Sequence, residues 1–145
     1  KNITIYSRST AMRIKIKIMP NDSDTIAKVV IIDEKNRVLM LKRSKYLEKY
    51  PNKWDLPGGH LHVDETLLDG LKREVKEETS LEIQDPIFIE KKDRTHFFMA
   101  KYNSQKIKLS KEHRAYIFID KEALSEEDDY QKIAIKAVEM QNDKD

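Results

Sequence analysis

The first part of the chain alternates between apolar and basic residues. Isoleucines occupy every second position from Ile14 to Ile18 in RIKIKIM, and basic residues lie between them. A period of two predicts a half-buried β-strand. The preceding stretch NITIY predicts a further strand, and PNDSD at positions 20–24 predicts a turn.

Longer apolar runs follow and predict the strands of a sheet. TIAKVVIID and RVLMLKR are separated by the turn residues EKN, which predicts a hairpin or two neighbouring strands. YPNKWDLPGGH, at positions 50–60, contains two prolines and two glycines and predicts a loop. The runs IFIEKKD, HFFMAKY and RAYIFID predict three later strands.

Two segments have the period of a helix. In the first, from about residue 65 to 79, Thr66 and Asp69 fit a capping box. Its apolar stripe consists of Leu67, Leu68, Leu71 and Val75. The second runs from about 125 to 141, with Ser125 as its expected cap. The mixed elements predict an α/β (α+β) fold with one mixed sheet between helices. We expect a single domain over residues 1–145, with residues 1–24 as an N-terminal strand extension.

Composition narrows the function classes. Of the 145 residues, 37% are charged and 39% hydrophobic, and cysteine is absent. Neither a membrane span nor a signal peptide is predicted. The lack of cysteine excludes disulfides and thiolate chemistry and suits a cytoplasmic protein. A formal net charge of +2 predicts no extended nucleic-acid surface.

The first helix carries three glutamates close together: Glu74, Glu77 and Glu78. At 100° per residue they fall within a sector of about 100°, at the edge of the apolar stripe. Like charges at such spacings repel, and a divalent cation with hard oxygen ligands would remove the conflict. The helix alone is equally compatible with a solvated acidic face.

The segment GHLHVDETLLDGLKREVKEETSL, residues 59–81, resembles the Nudix box. Gly59 is followed after five residues by Glu65, and after seven more by Arg73–Glu74. Val75, the pair Glu77–Glu78 and Leu81 complete the pattern, and WDLPGG precedes it. One position departs, because Ser80 stands where the family has glycine.

The resemblance implies a Nudix fold and roles for particular residues. Glu74, Glu77, Glu78 and the carbonyl of Gly59 would bind Mg²⁺ or Mn²⁺, and Arg73 would pair with Glu65 or Glu74. Either Glu74 or Glu112, in LSKEHRAYIFI, would accept a proton from the attacking water, and Glu112 would also reach the metal. The alternative for Glu112 is an exposed loop acid.

The sequence defines the substrate contacts less clearly than the metal ligands. Lys42 and Arg43 would contact phosphate in this family, or be ordinary charges at a strand end. Trp54 would either stack on a base or anchor its loop to the core. Alternation sends Phe97 and Phe98 to opposite faces, so we expect one of them to form an aromatic wall for a nucleobase.

Two residues of the first helix are unusual. Ser80 at the helix end should cost about 1 kcal/mol relative to glycine in a left-handed conformation. Gly70, inside the helix, would admit phosphates or make a close packing contact with the sheet.

The leading expectation is a metal-dependent pyrophosphohydrolase acting on a nucleoside diphosphate linked to another group. ADP-ribose, dinucleoside polyphosphates, FAD and nucleoside triphosphates are candidate substrates, and capped RNA stays open. The alternative is a Nudix-fold module that senses a nucleotide without hydrolysing it. The absence of cysteine disfavours an isoprenoid diphosphate isomerase. A homodimer formed through RIKIKIM and a monomer whose sheet is capped by that segment both remain compatible with the sequence.

Overall fold

A computed structural model of the chain describes residues 24–143 and, further upstream, the backbone of two short strands. These are β1 (Ile3–Tyr6) and β2 (Lys15–Ile18), which pair antiparallel with Ile3 opposite Ile18. The predicted side-chain alternation of RIKIKIM, and its role in dimerisation, lie outside the described residues.

The main sheet has seven strands, in agreement with the predicted mixed sheet. They are β3 (Ile26–Ile32), β4 (Arg37–Arg43), β5 (Trp54–Asp55), β6 (Gly58–His60), β7 (Ile87–Lys92), β8 (Thr95–Lys101) and β9 (His113–Asp120). β8 runs parallel to β3, whereas β9 and β7 run antiparallel to β4 and β8. The short strands β5 and β6 correct the prediction that residues 50–60 form only a loop.

The strands β3 and β4 form a hairpin and separate from each other with increasing distance from its turn. The two strands pair at Ile32 and Val38, next to the turn. Further along, β6 pairs with β3 and β5 pairs with β4. The segment from Lys53 to Leu61 therefore lies between two strands that would otherwise be neighbours, and it opens a cleft in the sheet.

One helix covers each face of the sheet. Residues of β3 alternate between the two faces, because side chains of a strand point to opposite sides. Val29 and Ile31 pack in the core beneath helix α1 (Leu67–Thr79), and Val30 and Ile32 pack in the core beneath helix α2 (Asp129–Asp143). Strands buried on both faces read as continuous apolar runs.

The two helices begin for different reasons. Thr66 Oγ1 accepts a hydrogen bond from the backbone N–H of Asp69, which confirms the predicted cap of α1. The predicted cap of α2 is wrong. Asp128, not Ser125, accepts the N–H of Gln131, and the helix starts at Asp129. Within the described part of the chain, neither helix has the length and apolar composition needed to cross a membrane.

Candidate active site

The segment between β5 and β6 is held by the backbone of the open hairpin. Val29 N–H donates to Pro57 O at 2.9 Å, and Arg43 N–H donates to Lys53 O at 2.8 Å. Gly58 has φ 127°, and a Cβ there would collide with the backbone of Ala27. Only glycine fits both the conformation and the close approach.

A buried ion pair lies beneath this segment. Lys28 Nζ donates to both carboxylate oxygens of Asp55, at 3.0 and 3.1 Å, and to the carbonyls of Leu56 and Gly58, each at 3.1 Å. Burial alone would raise the pKa of Asp55, but the charge of Lys28 and its hydrogen bonds hold that pKa down at about 2. One ammonium group thus ties together β3, β5 and the glycine turn.

Two further residues lie next to Asp55. Arg43 Nη1 donates to Asp55 Oδ2 at 3.3 Å, while Arg43 Nε and Nη2 donate to Lys49 O at 3.2 and 3.0 Å. His113 is buried, with Nε2 4.0 Å from Asp55 Oδ2. Neither of its ring nitrogens has a hydrogen-bond partner among the residues that the structure describes.

Glu78, on the last turn of α1, is the most buried acid of the helix. Only 5% of the residue is exposed, and Oε1 accepts the N–H of Gly58 at 2.9 Å. Burial raises the pKa of Glu78 to about 8, although the charge of Lys28 and the Gly58 hydrogen bond oppose that rise. A carboxylate this poorly solvated is expected to bind a proton or a cation.

Glu74 and Glu112 face the same cleft as Glu78. Burial raises the pKa of Glu74; Arg73 opposes that rise, and the charges of Glu77 and Glu112 add to it. A Cβ on Gly59 would lie 2.5 Å from Glu74 Oε1, so a side chain at this position would displace the Glu74 carboxylate. The cleft encloses about 560 Å³.

The connection from β8 to β9 carries Glu112 to this place. Lys108 N–H donates to Thr79 O and Ser110 N–H to Glu78 O, which ties the connection to the end of α1. The carbonyl of Glu112 then accepts the N–H of Ser44, after β4. A residue far from the helix in sequence is thereby placed beside it.

Arg73 donates hydrogen bonds to three acidic side chains in and before helix α1. Its Nε and Nη2 form a bidentate pair with Glu65, at 2.6 and 2.9 Å. Nη1 donates to Glu74 Oε2 at 3.2 Å and to Glu77 Oε1 at 3.0 Å. The hydrogen bonds from Arg73 lower the pKa of Glu65 to about 2. The arrangement matches the pairing that the resemblance implied.

Four of the five predicted metal ligands line the same cleft, and the fifth does not. Glu74, Glu78, Glu112 and Gly59 line one cleft, whereas the side chain of Glu77 is 59% exposed and bound to Arg73. Across residues 24–143, no three acidic or histidine side chains already stand at metal-ligating separations. The donor chemistry nevertheless fits a hard divalent cation, because three carboxylates and Gly59 line one partly buried cleft and oxygen donors are the ligands that such cations prefer.

The predicted substrate contacts are only partly supported. Arg43 lines the cleft, but its guanidinium is engaged by Asp55 and Lys49. Lys42 Nζ lies 5.4 Å from the ring centroid of Trp54, which is 38% exposed at the cleft. Trp54 is therefore accessible for stacking and is not an anchor buried in the core.

The prediction of an aromatic wall from Phe97 or Phe98 is wrong. The two side chains point to opposite faces, as alternation requires, but they are only 2% and 4% exposed. Phe97 packs in the core beneath α2 and Phe98 in the core beneath α1. Both faces of β8 are covered, so neither ring reaches the cleft.

The two unusual helix residues have structural explanations. Ser80 adopts φ 68°, the left-handed conformation expected at the helix end, and its Oγ donates to Lys108 O at 3.3 Å. A Cβ on Gly70 would lie 2.6 Å from Leu61 Cγ, so Gly70 permits close packing against the segment that follows β6. Of its two predicted roles, packing is the one observed.

The sequence did not predict the Lys28–Asp55 pair. It also did not predict that Tyr130 of α2 lines the cleft. Lys28 did give a signal, since a lysine interrupts the apolar run IAKVVII of a strand covered on both faces. A buried charge needs a partner, and Asp55 is an acid next to the glycine turn.

Comparison with known proteins decides the family. The NUDIX domain profile matches residues 23–139, which is most of the chain. The chain belongs to the Nudix family. A relative from Danio rerio, m7GpppN-mRNA hydrolase NUDT17, is 33% identical over 81 residues, which cover 56% of this chain and 27% of that protein. The Nudix chain thus spans about a quarter of the length of that relative.

Solved structures share the Nudix fold. The MutT protein from Methanosarcina mazei Go1 has a TM-score of 0.63 at 28% identity and covers 81% of this chain and 94% of its own. A C. elegans Ap4A hydrolase has a TM-score of 0.55 at 26% identity, covering 76% of this chain and 85% of its own. These similarities agree with the mixed sheet and its two helices.

Proposed function

We propose that this Nudix protein hydrolyses a diphosphate bond in a nucleoside diphosphate derivative, with Mg²⁺ or Mn²⁺ as cofactor. The observation that carries the proposal is Glu78, a buried carboxylate that shares a cleft with Glu74, Glu112 and Gly59. Such crowding of anionic oxygens is stable only when a proton or a cation compensates it.

The names of the similar proteins support the choice of bond. NUDT17 is named a hydrolase of m7GpppN-mRNA, and the C. elegans protein is named an Ap4A hydrolase. Both named substrates contain nucleosides joined through a phosphate chain. These names favour dinucleoside polyphosphates and capped RNA, and ADP-ribose, FAD and nucleoside triphosphates are the other candidates that the family resemblance implied.

The residues have separate tasks in this proposal. Glu74, Glu78 and Glu112, with the carbonyl of Gly59, would hold the cation. A bound divalent ion polarises phosphoryl oxygens and makes water more acidic. Arg73 fixes the direction of Glu74 and Glu65 through its hydrogen bonds.

Two residues are candidates for the proton acceptor. Glu74 is partly buried, and burial raises its pKa, which favours uptake of a proton. Glu112 is exposed and belongs to a connection rather than a helix. Glu74→Gln and Glu112→Gln should separate the roles. The base variant loses turnover at all pH values, whereas a variant that lacks only a ligand recovers with excess metal.

The decisive experiment is a panel of nucleoside diphosphate derivatives incubated with Mg²⁺, with products resolved by phosphorus NMR. We expect phosphate esters to appear, to be absent in chelator, and to return with excess Mg²⁺ or Mn²⁺. Oxygen-18 water identifies the phosphorus attacked. Turnover that is unaffected by chelator would refute the metal-dependent mechanism.

A sensing module is the competing function. It predicts nucleotide binding by calorimetry with no product over a long incubation. Glu78→Gln distinguishes the two, because in an enzyme it lowers turnover by orders of magnitude while the fold persists. In a module without a cation site it leaves nucleotide affinity unchanged.

A further inference from the structure

One segment next to the cleft concentrates positive charge and exposed aromatic rings. We call residues 42–54 the basic-aromatic segment. It holds five basic residues and one acid, Glu48, in a chain whose net charge is only +2. The aromatic residues recur every four positions as Tyr46, Tyr50 and Trp54, and each follows a lysine directly.

The rings are exposed to an unusual degree. Trp54 is 38% exposed, Tyr50 65% and Tyr46 84%. Trp54 and Tyr50 line the cleft, and Tyr46 lies beyond its lining. The segment therefore extends from the lining of the cleft to residues outside it. Its three exposed rings offer more stacking surfaces than the base of a single nucleotide needs.

Among the residues that the structure describes, the lysines of the segment have no acidic partners. None of Lys42, Lys45, Lys49 and Lys53 forms an ion pair with a carboxylate in the described part of the chain. Lysines elsewhere do so, as in Lys92–Asp129 at 2.9 Å and Lys121–Glu139 at 3.1 Å. Lys42, Lys45 and Lys53 instead have Nζ within 5.2–6.0 Å of an aromatic ring centroid.

Hydrogen bonds donated by arginine side chains hold the segment in a defined shape. Arg43 donates two hydrogen bonds to Lys49 O, and Arg114 Nε donates to Asn52 Oδ1 at 3.1 Å. Tyr50 has φ 51°, in the left-handed region that a bulky residue seldom adopts. These contacts enforce a conformation that presents the Tyr50 ring at the cleft.

We propose that the basic-aromatic segment binds the single-stranded nucleic-acid portion of a substrate whose 5′ phosphates enter the cleft. Lysines beside stacking rings are the general means of holding single strands without reading their sequence. The inference rests on the proposed function for the bond that is cleaved, and it deepens that function by naming the substrate class. It also revises the expectation, drawn from net charge, of no extended nucleic-acid surface.

The test measures binding without turnover. A fluorescent single-stranded uridine dodecamer with a 5′-hydroxyl is titrated with the whole chain in chelator, by fluorescence anisotropy at several salt concentrations. Tyr46→Ala/Tyr50→Ala should weaken binding by roughly tenfold or more at unchanged net charge. Tyr46→Phe/Tyr50→Phe should restore it.

A matched pair of charge variants tests the lysines. Lys45→Ser/Lys49→Ser/Lys53→Ser should reduce the slope of log affinity against log salt by about 2. Lys35→Ser/Lys91→Ser/Lys101→Ser removes the same charge from exposed positions elsewhere and should leave the slope unchanged. Thermal unfolding shows that each variant is folded.

Three results would overturn the inference: no binding by the parent chain at low salt, equal losses in both charge variants, or full affinity in the double alanine variant. Displacement of the RNA by a polyglutamate peptide of equal charge would also overturn it, since charge alone would then explain binding. The proposed function fails separately. If the chain binds the dodecamer but cleaves no compound of the nucleotide panel, the nucleic-acid-binding surface is supported and the hydrolase proposal is refuted.

Discussion

Replacing Lys28 by methionine should destabilise the protein severely. The substitution keeps most of the side-chain volume but removes the ammonium group that pairs with Asp55 at 3.0 Å and supports the carbonyls of Leu56 and Gly58. Removing one partner of a buried ion pair costs about 3–5 kcal/mol. Asp55 keeps a hydrogen bond from Arg43 at 3.3 Å, so we expect the lower end, about 3 kcal/mol.

The assay is urea unfolding at pH 7 with a double-mutant cycle. Lys28→Met/Asp55→Leu removes both charges and should cost less than the sum of the two single variants, because no isolated charge stays buried. Lys121→Met is the matched control. It breaks a partly exposed pair with Glu139 and should cost less than about 1 kcal/mol.

Two outcomes would refute this reasoning. A loss below about 1 kcal/mol for Lys28→Met would mean that water or a rearranged partner compensates Asp55. Additive costs in the double variant would mean that Lys28 and Asp55 are not coupled. An unchanged urea m-value across the series is needed for either comparison.

Three other predictions follow from the site. Glu78→Gln keeps an acceptor for the Gly58 N–H, so the fold should persist while calorimetry shows weaker Mg²⁺ binding and turnover falls by roughly 10²–10³-fold; wild-type turnover would exclude Glu78 as a ligand. Ser80→Gly relieves the left-handed strain and should raise the free energy of unfolding by up to about 1 kcal/mol at unchanged turnover. The Lys108 hydrogen bond opposes this gain, so no change in stability would mean that it fully offsets the strain. The pKa of Asp55 in the folded state, about 2, lies below its ordinary value of 3.8. Its contribution, about 2 kcal/mol, is therefore complete only above about pH 5 and is lost as pH falls through 3.8 towards 2. Acid unfolding curves of Asp55→Asn that match the parent over this window would contradict that account.

Local patterns predicted the elements whose signals lie close together in sequence. The Thr66 cap and most of the apolar stripe of α1 follow from spacing within a few residues, whereas Leu68 of the predicted stripe is 42% exposed. The start of α2 was missed by several positions, because Ser125 and Asp128 are both good capping residues and the local sequence did not discriminate between them. β5 and β6 were missed because they are short and pair only after β3 and β4 diverge.

The sequence by itself determined the acidic face of one helix, because helical periodicity places Glu74, Glu77 and Glu78 on one side, and the family resemblance implied the pairing of Arg73 with Glu65. Only the tertiary structure decided what those acids face. The opened hairpin admits the glycine turn, the β8–β9 connection brings Glu112 from a distance, and both faces of β8 are covered, which buries Phe97 and Phe98. Pairing between distant strands sets these positions, and no local period of residues encodes it.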